Sequence, residues 1–410
     1  MTAPPPEVRE AVAGRPAPFS VLDLDAARAN ARDMARRARG TPIRLATKSL
    51  RIRELISRVL EVPGFSGLLS YHLGEALWLV DEGVCNDILV AYPCADPDLL
   101  AAWAGDPAYR RAVTVMVDCP GHLRLIEQAA EAVGLETCHP DPDWSEPDTD
   151  AAELRVCLDV DASYVIGPVH IGARRSPVHS PAEAEAMASE ICSRPGMRLV
   201  GLMAYEGQIA GTTDTSPAIA AMKRLSVDEL AGRRAKVVAA VAERLAVDGL
   251  ELEFVNGGGT GSIETTRAEE AVTEIGAGSG VLGPGLFDHY KTFTPHPAEW
   301  FVVPVVRHPA RGFVTVAGGG RVASGAPGDD RLPVVDYPEG LRTIALEGAG
   351  EVQTPLRGTG ADRLRLGDHV WMRHAKAGEQ AEWTDSVLVV SDGLTVAEWP
   401  TYRGEKRSFV

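Results

Sequence analysis

Lys48 stands at the carboxyl end of a short apolar run, Ile43 to Thr47, that reads as a buried strand. An amine in that position faces a ligand and not the bulk core. A free lysine amine has a pKa of about 10.4. Desolvation lowers that value and frees the amine to attack a carbonyl and form a Schiff base, for example with pyridoxal phosphate (PLP). Taken alone, Lys48 also fits a solvated lysine at a strand end, so its chemistry depends on what surrounds it.

Two glycine-rich loops are the strongest companions. Asn256–Ser262 carries three consecutive glycines followed by Thr260 and Ser262, and Gly276–Gly280 carries three glycines around Ser279. Glycine lets a backbone approach a ligand closely, and successive backbone amides and hydroxyls suit an anion. Asp161 closes another apolar run, with Arg174 and Arg175 beyond it; a guanidinium there suits a phenolate or a carboxylate. Tyr205 and the pair Tyr71 and His72 also close apolar runs. Late in the chain, His374 and Lys376 alternate after Trp371, which on a strand places them on one face. Histidine there offers an acid, a base or a ligand. Thr401–Gly404 is an unusually polar motif for a tail and suggests a segment tied down near a site.

These residues need a scaffold that brings them together, and the chain pattern supplies one. Apolar runs at 43–47, 67–70, 87–92, 113–118, 154–161, 198–205, 252–256 and 272–276 alternate with helical stretches, among them 24–38, 51–60, 121–133, 181–193 and 227–247. Eight such units over roughly 240 residues predict a (β/α)8 barrel, whose strand ends form the catalytic face and whose last two loops commonly hold phosphate. The runs are continuously apolar, as in a parallel sheet covered by helices; a doubly wound open sheet is the competing fold. From about residue 291 the pattern changes to short β-like runs at 302–306, 312–316, 334–335, 343–346, 369–371, 386–390 and 395–399, without helices between them. The expected organisation is an N-terminal segment 1–22 packing on the β domain, a barrel at 23–290 and an all-β domain at 291–410. Residues 137–150, rich in Pro and Asp, read as an exposed loop.

A net charge of −16 argues against nucleic acid and anionic membranes as partners. Six cysteines without a CxxC pair read as reduced thiols, and the absence of a signal pattern or long apolar run points to a cytoplasmic protein.

Several of these stretches together resemble a known family. Arg44 to Lys48, Asp87–Pro93, Tyr205 to Gly207 and Asn256–Gly261 resemble the fold-type III PLP enzymes, in the branch of D-threonine aldolase and eukaryotic-type D-serine dehydratase. Glu351–Leu356, His374–Glu379 and Pro400–Gly404 resemble the bacterial amino acid deaminase/aldolase group. The resemblance implies an alanine racemase-like barrel with a β domain, a homodimer, and Lys48 as the residue joined to PLP. It implies phosphate contacts at Gly259, Thr260, Gly278 and Ser279, with Arg175 and Tyr205 beside the ring. It also implies that one subunit's β domain, with His374, completes the partner's site.

The chain departs from that pattern at one point. Metal-dependent relatives use His-x-Asp or His-x-Cys late in the chain, whereas here Lys376 follows His374 by two. A cationic lysine repels a metal, so no metal ligand is assigned. The Lys376 ammonium is expected to replace the metal's charge, with His374 as base. Relatives also often carry His at the position of Gln208. The activity implied is that of a lyase cleaving a D-configured or α-substituted β-hydroxy amino acid to an aldehyde and a smaller amino acid. Dehydration with deamination and racemisation share the same cofactor site. A PLP-carrying regulatory protein and a phosphate-binding barrel without PLP are the readings from other classes.

Overall fold

The computed structural model describes residues 3–135, 153–214 and 216–410; the proposed loop at 137–150 lies outside the described residues. Eight parallel strands follow one another around a closed barrel: Ile43–Ala46, Phe65–Ser70, Ile88–Val90, Val113–Val117, Leu154–Asp159, Met197–Ala204, Phe254–Gly257 and Glu274–Ala277. The eighth pairs with the first through Ile275 opposite Ile43, which rules out the open sheet. These runs are apolar on both faces because one side packs on helices and the other fills the barrel. Leu89, Met116, Cys157, Val200, Met203 and Phe254 form the inner cluster. Gly201 makes room for it, since a Cβ there would lie 2.2 Å from the Phe254 ring.

A buried ion network also crosses the interior. Arg44 donates through Nε and Nη2 to both oxygens of Glu274, at 2.7 and 2.9 Å, and through Nη1 to Asp87 at 2.8 Å. Asn256 donates to the same Glu274 at 2.8 Å. Strands one, seven and eight are thereby joined by side chains as well as by backbone, in the paired geometry that makes buried charge tolerable.

The helices mostly begin where capping residues predict. Asp23 accepts from the amides of Asp25 and Ala26 at the head of Leu24–Ala38, and Ser180 forms a capping box with Glu183 at the head of Pro181–Cys192. The long helix differs from expectation: it runs Pro217–Ala246, ten residues earlier than its apolar pattern indicates. Ser216 accepts from the Ile219 amide and Pro217 occupies the first turn, a start signal outside the periodic stretch. A short helix Pro107–Ala112 and a hairpin of Tyr164–Ile166 with Val169–Ile171 were not anticipated.

The remaining strands build one nine-stranded mixed sheet. Phe19–Asp23 lies within it, antiparallel to Glu299–Ala310 and parallel to Ser386–Ser391. Gln353–Arg357, unanticipated because it carries Pro355, pairs with Phe313–Ala317. Strand His369–Arg373 ends before His374, so His374 and Lys376 lie in a turn and not on a strand face. No helix among the described residues is long and apolar enough to cross a membrane.

Candidate active site

The carboxyl ends of seven of the eight barrel strands open into one cavity of about 860 Å³. Its lining includes Lys48, Tyr71, Tyr92, Asp159, Arg175, Tyr205, Gly259, Thr260, Gly278 and Ser279. Lys48 stands in the single turn Thr47–Ser49 that follows the first strand, and it is exposed to the cavity, not desolvated as its sequence context suggested. Tyr92 is close to both Lys48 and Arg175: Lys48 Nζ is 5.9 Å and the Arg175 guanidinium 5.5 Å from its ring centre. Arg174 is exposed and does not line the cavity. His72 accepts from the Gly74 amide at 3.1 Å and caps the helix Leu73–Asp81, while its neighbour Tyr71 faces the cavity.

The two glycine loops meet. Ser279 Oγ donates to Thr260 Oγ1 at 3.1 Å, and the Gly280 amide donates to the same oxygen at 3.1 Å. Close packing explains the glycines: a Cβ on Gly278 would lie 2.5 Å from the Ala46 carbonyl oxygen, and one on Gly259 would lie 2.7 Å from Ala210 Cβ. Glu206, one residue beyond Tyr205, is buried and organises the first loop. It accepts from the Gly258 amide at 2.9 Å, from Arg234 at 2.9 Å and from Ser262 at 3.1 Å, with Thr266 as a further donor. Gln208, on the following short helix, lines the cavity and donates to the Ala162 carbonyl at 2.7 Å.

A second buried carboxylate supports the Lys48 turn. Glu75 is fully buried and accepts from the Tyr71 amide at 3.0 Å, the Tyr402 hydroxyl at 2.8 Å and the Ser70 hydroxyl. Burial raises its pKa, against the pull of these donors and of Thr47. The Tyr402 amide donates to the Arg51 carbonyl at 2.9 Å, and Arg51 Nε donates to the Lys48 carbonyl at 3.2 Å. The polar tail motif around Tyr402 is therefore tied beneath the site.

The β domain of the same chain supplies the remaining wall through Ala326, Arg331, Ala375, Lys376, Ala377 and Glu379. The resemblance had placed this wall in a partner subunit. Here the turn is seated by its own chain: the amides of Gly285 and Leu286 donate to the carbonyls of His374 and Ala375 at 3.0 Å each. A Cβ on Gly378 would lie 2.1 Å from the Lys48 carbonyl oxygen, so the turn packs directly on the lysine's backbone.

Lys376 Nζ donates to Ser324 Oγ at 3.0 Å and lies 3.8 Å from Glu379. Burial lowers its pKa; Glu379 opposes that shift, and Arg331 and Lys48 add to it. His374 is buried behind this wall and does not line the cavity. Its Nδ1 lies 2.7 Å from the Lys376 carbonyl and 3.1 Å from the Lys376 amide, and its Nε2 is buried without a partner among the described residues. Burial also lowers the His374 pKa, favouring the neutral ring.

Three lining residues were not singled out from sequence. Asp159 has its carboxyl pushed up to about 7, by burial first and by Asp118 next, against Arg175. Its only local signal was its alternation with Asp161, which instead holds its own turn by accepting from Ser163 at 2.6 Å. Arg331 and Glu379 lie in the β domain; no nearby pattern marks Arg331, and Glu379 closes the His374–Glu379 stretch without having been given a role. Among the described residues, Asp118, Cys119 and His122 bring ligand-type atoms within 4.8 Å of one another. That group lies outside the cavity lining, and its His122 Nδ1 already sits 3.0 Å from Asp118.

Comparison with known proteins agrees with this geometry. Residues 22–284 match the family model for the alanine racemase N-terminal domain. The chain is 27% identical over 278 residues to a D-threonine aldolase of an Arthrobacter species, covering 67% of this chain and 63% of that protein. It is 26% identical over 273 residues to a 3-hydroxy-D-aspartate aldolase of Paracoccus denitrificans, covering 64% and 59%. The chain thus spans less than two thirds of the length of these curated relatives. Over 94% of its length it superposes on the crystal structure of D-threonine aldolase from Filomicrobium marinum, with a TM-score of 0.76, 22% identity and 95% of that chain covered. The chain belongs to the family of the alanine racemase N-terminal domain, the fold-type III PLP enzymes.

Proposed function

We propose that this protein is a PLP-dependent lyase that cleaves β-hydroxy amino acids between the α- and β-carbons, releasing an aldehyde and a smaller amino acid. The observation that carries this reading is the shared cavity in which Lys48 faces two adjoining glycine loops and a cationic β-domain wall. The names of the two curated relatives point to the same substrate class and to D configuration.

The residues present fit PLP. Lys48 is exposed where an aldehyde could reach it, and the cavity is amply large for a cofactor and a small amino acid. Gly259, Thr260, Gly278 and Ser279 would take the phosphate, Arg175 the phenolate oxygen, and Tyr205 a ring face. When bound, PLP supplies an electron sink for bonds at the α-carbon.

The chain's own side chains then direct which bond breaks. Because His374 stands behind the wall, we assign the proton of the β-hydroxyl to Lys376 Nζ. Its lowered pKa favours the free amine that such a base requires. Loss of that proton turns the β-carbon into an aldehyde as the bond to the α-carbon breaks, and Lys48 Nζ returns a proton to the α-carbon. His374, bonded to the Lys376 backbone, holds the turn that aims Lys376. No metal enters this scheme, so chelators should leave turnover intact. The working unit we propose is a homodimer, which sedimentation of the purified protein would test.

The test is a screen of D- and L-β-hydroxy amino acids with the purified protein supplied with PLP, reading aldehyde, keto acid and inverted amino acid in parallel. Aldehyde with a smaller amino acid is expected. Keto acid and ammonia alone would replace cleavage with dehydration, and inversion alone would make the protein a racemase.

A further inference from the structure

The β-domain wall holds more cationic charge than the proposed reaction has yet used. Arg331 and Lys376 both face the cavity, and the only carboxylate on that wall among the described lining residues is Glu379. Glu379 is already engaged: its two oxygens accept from Ser324 Oγ at 2.6 Å and from the Ser324 amide at 2.8 Å. Among the described residues Arg331 has one carboxylate partner, Asp330, which lies 3.1 Å from Nη1 and is half exposed. Nε and Nη1 of Arg331 are buried without an aligned hydrogen-bond acceptor among the described residues. A cavity-lining guanidinium with unpaired donors favours an arriving anion, and a carboxylate would meet its accessible edge in a charge-assisted bond.

We propose that Arg331 is the receptor for the substrate's carboxylate and that it makes the site selective for free amino acids over amides and amino alcohols. This rests on the lyase reading above. The cavity would then divide its work between two walls: the barrel ends hold the cofactor, while Arg331 and Lys376 hold the carboxylate and the hydroxyl of one substrate. Fixing two points on one wall orients the bond between α- and β-carbons with respect to the cofactor.

The experiment measures binding of 3-hydroxybutyrate and of its amide to the PLP-loaded protein by calorimetry. Neither has an amine, so neither can react. The acid should bind at least about 10-fold more tightly than the amide in the wild type. Arg331→Gln should erase that difference and raise KM for β-hydroxy amino acids roughly 100-fold with kcat changed far less, as expected for losing a charge-assisted pair. Arg331→Lys should restore part of both.

Equal binding of acid and amide by the wild type would overturn the proposal without any variant. So would an Arg331→Gln protein that keeps the preference, or one that fails to retain PLP, which would make Arg331 a cofactor ligand. If no β-hydroxy amino acid is cleaved but the acid-over-amide preference still depends on Arg331, the carboxylate site stands and the lyase reading falls.

Discussion

In the proposed reaction, Lys376 takes the place that the resemblance gives to a metal ligand. If its free amine accepts the hydroxyl proton, kcat/KM should rise with pH through a value below the ordinary 10.5 of a lysine, because burial, Arg331 and Lys48 disfavour the ammonium. Lys376→Met should remove that rise and lower kcat by about 10²–10⁴-fold, the usual weight of a positioned base; a pH–rate profile of both proteins checks it. Treatment with a chelator should change neither. Legibility at this scale was uneven. Lys48, Tyr205 and the two glycine loops could be read because each directly follows its own apolar strand, whereas Arg175 stands beyond the hairpin that follows its strand. Arg331 and Asp159 could not be read, since no local spacing distinguishes them from solvated charges, and Glu379 lies in the His374–Glu379 stretch with nothing to separate it from a solvated charge. His374 and Lys376 were found by type, but their alternation was misread as a strand face. The chain must turn after Arg373 so that Gly378 can seat against the Lys48 carbonyl.

At the scale of elements, the site depends on two buried carboxylates at loop bases. Glu206 gathers the first glycine loop, and Glu75 gathers the Lys48 turn, the second strand end and the C-terminal tail. Tyr402→Phe removes one donor from a fully buried carboxylate and should cost about 1–3 kcal/mol in a denaturant titration, with little change in overall structure. Gly278→Ala brings a methyl to within 2.5 Å of the Ala46 carbonyl, where backbone faces backbone and neither side can swing away. It should push the second loop off the first strand and weaken PLP affinity at least about 10-fold, measured by absorbance titration. The alternation of strands and helices was legible because it is a local, periodic property. The early start of helix Pro217–Ala246 and the strand at Gln353–Arg357 were not, because a cap and tertiary pairing override periodicity there.

Over the whole molecule, the N-terminal strand Phe19–Asp23 stitches the β sheet to the first barrel helix, and Glu299 lies at that junction opposite Leu22. Burial pushes the Glu299 carboxyl up to about 8, against the attraction of Arg321. A folded value above the ordinary 4.5 means that the folded protein keeps a proton the unfolded chain has lost. Stability attributable to this group is therefore fully present below about pH 4.5 and is lost as pH rises to about 8. Glu299→Gln should flatten that decline and raise Tm by a few degrees at pH 8 and above, read by thermal scans across pH. That one chain's β domain closes its own barrel was not legible from sequence, since it depends on long-range docking of residues 374–379 onto Lys48.

Borohydride trapping tests the central claim most directly. The purified protein, incubated with PLP, reduced and digested, should carry the reduced cofactor on the peptide containing Lys48 and on no other of its six lysines. No modified peptide, or modification at Lys376 in place of Lys48, would contradict the account.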